Sequence, residues 1–133
     1  MIVLDTHALV WWVADSSRVG AKARRLIDSA VKAGDQVSVS CISVWEIAML
    51  VARGRLELTI DVHSWMAHVQ TLPYFNFVPV DNAIAMRAVH LEGLAPRDPA
   101  DRMIVATALG LNATLVTADK ELRSYRALRT SWD

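Results

Sequence analysis

The sequence predicts an α/β fold, a three-layer α/β/α sandwich with a central, mainly parallel sheet of four to five strands. Short apolar, β-branched runs alternate along the chain with longer amphipathic stretches, and parallel strands need such crossover helices. The 133 residues suffice for one compact core and are few for two. Hydrophobic residues make up 53% and charged residues 21%, with 5 Gly and 4 Pro, which excludes a disordered or low-complexity chain. No repeat or linker divides it.

Met1 to Leu4 is an apolar run closed by Asp5-Thr6, as expected of a buried strand passing into a polar turn. Ala8 to Ala14 is then helical. Ala21 to Val31 sets Ala, Leu and Ile on one face and Lys22, Arg24, Arg25 and Asp28 elsewhere, and Gly34-Asp35 stops it. Gln36 to Ser40 is a second strand, followed by an apolar helix from Ile42 to Val51 that Glu46 interrupts and that ends near Gly54. Asp61 to Leu72 forms a helix with Asp61 as N-cap. Phe77 to Val80 is extended, and Pro79 excludes it from a fully paired central position. Asp81 caps a helix running to about Glu92, and Gly93 to Pro99 turns the chain into a nearly wholly apolar helix, Asp101 to Leu111. Thr114 to Thr117 is a strand, and Ala127 to Trp132 adds an edge strand.

Fourteen basic and fourteen acidic residues cancel, so bulk attraction to nucleic acid is excluded and any basic patch is local. Eleven of the basic residues are Arg, whose planar fork suits phosphate or carboxylate. Mean hydropathy is +0.27, yet no run approaches the roughly 20 apolar residues of a membrane helix. The start carries no basic leader, and the single cysteine, Cys41, excludes an internal disulfide or a cysteine-rich metal cage. The expectations are a cytoplasmic protein with no membrane contact, and Cys41 as core packing.

Several acids lie in apolar surroundings. Asp5 ends the first strand, Glu46 sits early in an apolar helix, Asp98 and Asp101 open another, and Asp119 follows the Thr114 to Thr117 strand. In a parallel sheet the carboxyl ends of the strands share one edge, and ligands bind in the crevice outside it. Asp5, Glu46 and Asp119 therefore converge, and Asp101 joins them if its helix starts at the same edge.

Each acid also has a plainer use. Asp98-Pro99-Ala100-Asp101 has the form of an N-cap, a proline at the first helical position and an acid completing a capping box. Ser43-Val44-Trp45-Glu46 matches the same box, Asp119 can cap a short helix from Lys120, and Asp5 can serve a turn. Together, however, three or four carboxylates at one crevice repel unless protons or cations compensate. Oxygen donors without a Cys or His cluster favour Mg²⁺, or Mn²⁺, over Zn²⁺, and such ions point to phosphoryl chemistry.

The chain resembles the PIN-domain ribonucleases, and within them the VapC-type toxins of toxin-antitoxin pairs. Four motifs carry the resemblance in order: Ile2-Val3-Leu4-Asp5-Thr6, Ser43-Val44-Trp45-Glu46, the Ile/Ala-rich run from Asp101 to Ala108, and Leu115-Val116-Thr117-Ala118-Asp119. It covers essentially residues 1–133, taken as one PIN-like domain. It implies Asp5, Glu46, Asp101 and Asp119 as catalytic, metal-binding acids and Mg²⁺-dependent endonucleolytic cleavage of RNA with water as nucleophile. It also implies a cognate antitoxin and a homodimer. Asp98, in an Arg-Asp-Pro-x-Asp-Arg stretch, is a helix cap first and a metal residue second. Thr6, Ser43 and Thr117 can orient acids or satisfy local backbone. His7 departs from the small polar residue usual at its place and is expected to hydrogen-bond locally.

Arg53 and Arg55, and Lys120, Arg123, Arg126 and Arg129 at three-residue intervals, are candidate RNA contacts, although each singly is as well explained as a solvated face. Of five Trp, Trp11, Trp12 and Trp45 lie near the acids, and an exposed aromatic groove can seat a partner's amphipathic segment or stack bases. The alternative function is a non-catalytic PIN-like scaffold binding RNA or protein, which the complete acid set opposes. A phosphatase would want a second acid where His7 stands.

Overall fold

The computed structural model describes all residues, Met1–Asp133. Five strands and seven helices follow in the order β1 (Ile2–Leu4), α1 (Thr6–Val13), α2 (Ala21–Ala33), β2 (Val37–Ser40), α3 (Cys41–Ala52), α4 (Val62–Thr71), β3 (Phe75–Val78), α5 (Asn82–Val89), α6 (Pro99–Gly110), β4 (Thr114–Val116), α7 (Lys120–Ser124) and β5 (Thr130–Ser131). The sheet order is β3-β2-β1-β4-β5, and every pairing is parallel.

Both faces of the sheet are covered, so β1 is buried at all three positions. Ile2, Leu4, Val37, Val39 and Val116 share one core with Leu9 of α1, Ile27 of α2, Ile47 of α3 and Val69 of α4. Val3 and Leu115, facing the other way, pack with Ile104 and Val105 of α6 and Leu122 of α7. That division follows from the period-two alternation of strand side chains. Each such fully buried side chain contributes about 1.5–3 kcal/mol of apolar burial.

Several local signals act where they stand in the sequence. Asp61, Asp81 and Asp119 accept from the backbone N–H three residues on and start α4, α5 and α7. Gly34, at φ 77°, ends α2 in the left-handed conformation. Other expectations need correction. The third strand is Phe75–Val78 rather than Phe77 to Val80, so Pro79 lies just past it. Helix α3 is capped by Ser40, whose hydroxyl accepts from Ile42 N–H, so Ser43 is no capping residue. Cys41 is half-buried at that helix start, beside the fully buried Ser43 of the same turn, and is not a core residue. The edge strand is the two residues Thr130–Ser131. No helix is long and apolar enough to cross a membrane.

Candidate active site

From β1 the chain moves outward to β2 and β3, then returns to place β4 on the other side of β1. The order therefore reverses between β1 and β4, and the crevice outside their carboxyl ends is where an open parallel sheet presents a ligand site. Asp5 leaves β1 at this point. Its N–H still reaches Val116 O of β4 at 3.0 Å, which holds its backbone in the sheet, while its side chain caps α1 by accepting from Thr6 N–H at 2.9 Å. The other carboxylate oxygen accepts from the Thr117 hydroxyl at 2.7 Å, and Thr117 Oγ1 in turn accepts from Asp119 N–H at 3.1 Å.

Glu46 comes from the second turn of α3. The fully buried Thr6 and Ser43 stand beneath it. Thr6 Oγ1 contacts both Glu46 Oε1 and, at 2.9 Å, Ser43 Oγ. With one hydroxyl proton to give, Thr6 donates to the carboxylate and accepts from Ser43. Thr6, Ser43 and Thr117 thus form a buried layer of hydroxyls, two of which hold acids directly.

Asp101 and Asp119 meet through Arg97. Asp98 is the N-cap of α6, accepting from Ala100 N–H at 2.8 Å, with Pro99 behind it at the first helical position. Asp101 does not complete the expected capping box, because its carboxylate turns to Arg97 Nη2 at 3.1 Å. The same nitrogen donates to Asp119 Oδ2 at 2.5 Å, and Nη1 donates to Glu121 Oε2 at 2.6 Å. The Arg97 side chain is 11% exposed, and its Nε is buried without an acceptor. Sequence reasoning did not single out Arg97. The available signal was its position one residue before an N-cap and four before Asp101.

Ionisation separates the acids into two groups. Burial raises the Asp5 carboxyl above the ordinary carboxylate range, against the hydrogen bonds from Thr117 and Thr6. Burial also raises Glu46, opposed by Thr6 and reinforced by the charges of Asp101 and Asp5. Asp101 is raised by burial and by Asp5 and Asp98, although Arg97 pulls the other way. Burial acts in the same sense on Asp119, but there the Leu122 N–H and Arg97 outweigh it and the carboxyl lies below its usual value.

Asp5, Glu46, Asp101 and Asp119 therefore gather at this edge, each of the last three within range of the Asp5 charge, with Asp98 exposed beside them as a cap. No three of the protein's His, Cys, Asp and Glu side chains stand close enough to hold a metal ion as placed. The donor set nevertheless fits a hard divalent cation. It is all oxygen, and Glu46 Oε2 and Asp101 Oδ1 have no hydrogen-bond partner. Asp5 and Glu46 also have no salt-bridge partner, whereas Asp101 has Arg97.

His7 is exposed beside this crevice, its ring 5.4 Å from that of Trp11, and it makes no hydrogen bond, contrary to expectation. Trp11 packs on Trp132 and Trp12 on Tyr74 and Phe75, whereas Trp45 stays 56% exposed. Lys120 and Arg123 line a crevice of about 620 Å³ with Lys22 and the C-terminal residues from Thr130 to Asp133. Arg129 instead bonds to Asn112 O, while Arg53, Arg55 and Arg126 are exposed.

Known proteins resemble this chain over nearly its whole length. The model of the family described as PIN domain matches residues 2–128. Ribonuclease VapC22 of Mycobacterium tuberculosis is 38% identical over 133 residues, 98% of this chain and 98% of its own. Among solved structures, VapBC2 from Rickettsia felis bound to a DNA fragment from its promoter superposes with TM-score 0.70 at 18% identity, covering 100% of both chains. A toxin-antitoxin complex from Klebsiella pneumoniae does so with TM-score 0.63 at 22% identity, covering 96% of this chain and 95% of that one. At those identities the structures speak for the fold.

Proposed function

This chain belongs to the PIN-domain family, and from that premise we propose that it is a divalent-metal-dependent endoribonuclease, the toxin of a type II toxin-antitoxin pair. The observation that carries the reading is the gathering of Glu46, Asp101 and Asp119 within range of the Asp5 charge at the β1–β4 switch point, from four separate parts of the chain. Structural capping accounts for Asp98 and for half of Asp119. It does not account for Glu46, whose carboxylate caps nothing. Asp5, Glu46 and Asp101, with free lone pairs, would hold Mg²⁺ or Mn²⁺, with Asp119 beside them on Arg97. Such an ion, when bound, supplies Lewis-acid polarisation of a phosphodiester and a lowered pKa for an attacking water.

The chain's own part is orientation and charge. Thr117 and Thr6 each hold one oxygen of the Asp5 and Glu46 carboxylates and leave Glu46 Oε2 free. The Lys120 crevice adjoins Asp119 and gives the flanking RNA phosphates cationic partners in a molecule of zero net charge. For the antitoxin, Trp45 stands exposed near an apolar groove of about 270 Å³ between Val44, Ala48, Val62 and Met66. A homodimer is part of the same reading, and Met86 and Val89 leave an exposed apolar surface on α5. The hold of Arg97 on two acids favours the second reading, a scaffold that binds RNA or protein without cutting.

RNA cleavage by the partner-free protein, in Mg²⁺ or Mn²⁺ against EDTA, with Asp5→Asn and Glu46→Gln at matched folded concentration, separates the two. Metal-dependent cleavage lost in both variants supports the nuclease. A folded, metal-binding protein that cuts no RNA supports the scaffold.

A further inference from the structure

Arg97 is built into the acidic crevice rather than resting on its surface. It comes from the loop between α5 and α6, its side chain is 11% exposed, and its Nε is walled in without an acceptor. Its fork engages three carboxylates from two elements, Asp101 of α6 and Asp119 and Glu121 at the start of α7. A guanidinium is the side-chain cation best shaped to bridge carboxylates, and it does not lose its charge in a protein. The bonding of each acid then decides what remains free. Asp119 has both oxygens engaged, one by Leu122 N–H and one by Arg97. Asp101 has one engaged, by Arg97. Glu46 keeps Oε2 free, and each Asp5 oxygen carries a single bond.

We infer that Arg97 stands in for a second metal ion: its guanidinium holds the Asp101–Asp119 half of the crevice, so that the chain takes one divalent ion, on Asp5, Glu46 and the free oxygen of Asp101. The inference rests on the metal-binding reading above and adds the stoichiometry to it. Arg97 is a positioning residue in this scheme, acting through the two aspartates. Its withdrawal frees three carboxylate oxygens, those of Asp101, Asp119 and Glu121, and creates a second site of the same hard-oxygen kind.

Mn²⁺ binding to the partner-free protein, counted by the loss of free-ion electron paramagnetic resonance signal and by calorimetry, tests this without any cleavage assay. The expected result is one ion per chain for wild type and for Arg97→Lys, which keeps the charge, and two for Arg97→Gln. Arg97→Gln is also expected to gain at least twice the wild-type rise in melting temperature on moving from EDTA to Mn²⁺. If Arg97→Gln folds only in Mn²⁺, its ions are counted there. Two ions in wild type, or one in both wild type and Arg97→Gln, overturns the role of Arg97 while leaving a metal-binding crevice standing. No saturable ion in either protein overturns both the inference and the metal-dependent reading beneath it.

Discussion

Replacing Thr6 with Val probes the buried hydroxyl layer that supports Glu46. Valine is close to threonine in volume, so the change leaves no cavity and isolates the hydroxyl. Two contacts are lost. The hydrogen bond to the Glu46 carboxylate is charge-assisted and contributes about 1.5–3 kcal/mol, toward the lower end because Glu46 is only half covered. The Ser43 hydroxyl, 0% exposed, loses its acceptor, at a cost of about 1–2 kcal/mol given that a helical serine can turn back to the preceding carbonyl. Together these amount to about 3 kcal/mol, or a fall in melting temperature of about 10 °C for a domain of this size. Urea unfolding in EDTA measures the first figure and thermal melting the second. Ser43→Ala removes one partner and the double variant removes both, so the double should cost at least about 1 kcal/mol less than the sum of the singles. Thr6→Ser, which keeps the hydroxyl, should retain most of the stability and the affinity for Mn²⁺. A Thr6→Val penalty below about 0.5 kcal/mol, or strict additivity in the cycle, would refute the assignment of Thr6 as the support of Glu46.

Further outcomes follow from the same structure. Asp5, Glu46 and Asp101 have carboxyls raised by burial, so the folded state binds their protons more tightly than the unfolded chain. Their contribution to stability is fully present below the unfolded carboxylate value of about 4 and is lost as pH rises through the raised folded values. Melting curves in EDTA should therefore fall with pH over that range, Asp5→Asn should flatten the fall, and saturating Mg²⁺ should remove it. Asp119 has the opposite sign, contributing above its unfolded value and losing that contribution as pH falls through its lowered folded value, so Asp119→Asn should remove a loss of stability at the acid end, below about 4, and leave the decline above it unchanged. Gly20→Ala would place a Cβ 2.1 Å from Trp132 O. Because that contact is backbone, the change should cost about 1–3 kcal/mol and loosen the C-terminal strand, as hydrogen exchange at Ala23 N–H, bonded to Trp132 O, would report. Lys120→Ala should weaken binding of RNA several-fold and lower the dependence on log salt by about 0.7, the value of one phosphate contact on a single strand, measured with Asp5→Asn as the non-cutting background.

The parts legible in the sequence are those decided within a few residues. The caps Asp61, Asp81, Asp98 and Asp119 act over two or three positions, and Pro99 and Gly34 act where they stand. The strand that Pro79 displaced by two residues went astray because pairing with β2, from Val37↔Phe75 to Ser40↔Val78, sets its limits. The plainer use of Ser43, as a capping residue, fails for a similar reason. Its match to a capping box is local, but its hydroxyl is claimed by Thr6, 37 residues away.

By itself the sequence determined the alternation of strands and helices, and hence a parallel sheet whose carboxyl edge gathers the acids that end or follow its strands. That much is set by hydrophobic periodicity, by caps, and by the rule that parallel strands require crossovers. Only the tertiary structure decided how those acids are held. Thr117 reaches Asp5 across 112 residues, Thr6 reaches Glu46 across 40, and Arg97 reaches Asp119 across 22. A side chain's partner at such a distance depends on which elements the sheet order makes neighbours, and β1 lies between β2 and β4 because the whole chain packs two apolar cores on its opposite faces. Carboxylates can be placed at an edge by local pattern, but their charges are balanced by whatever the fold brings beside them.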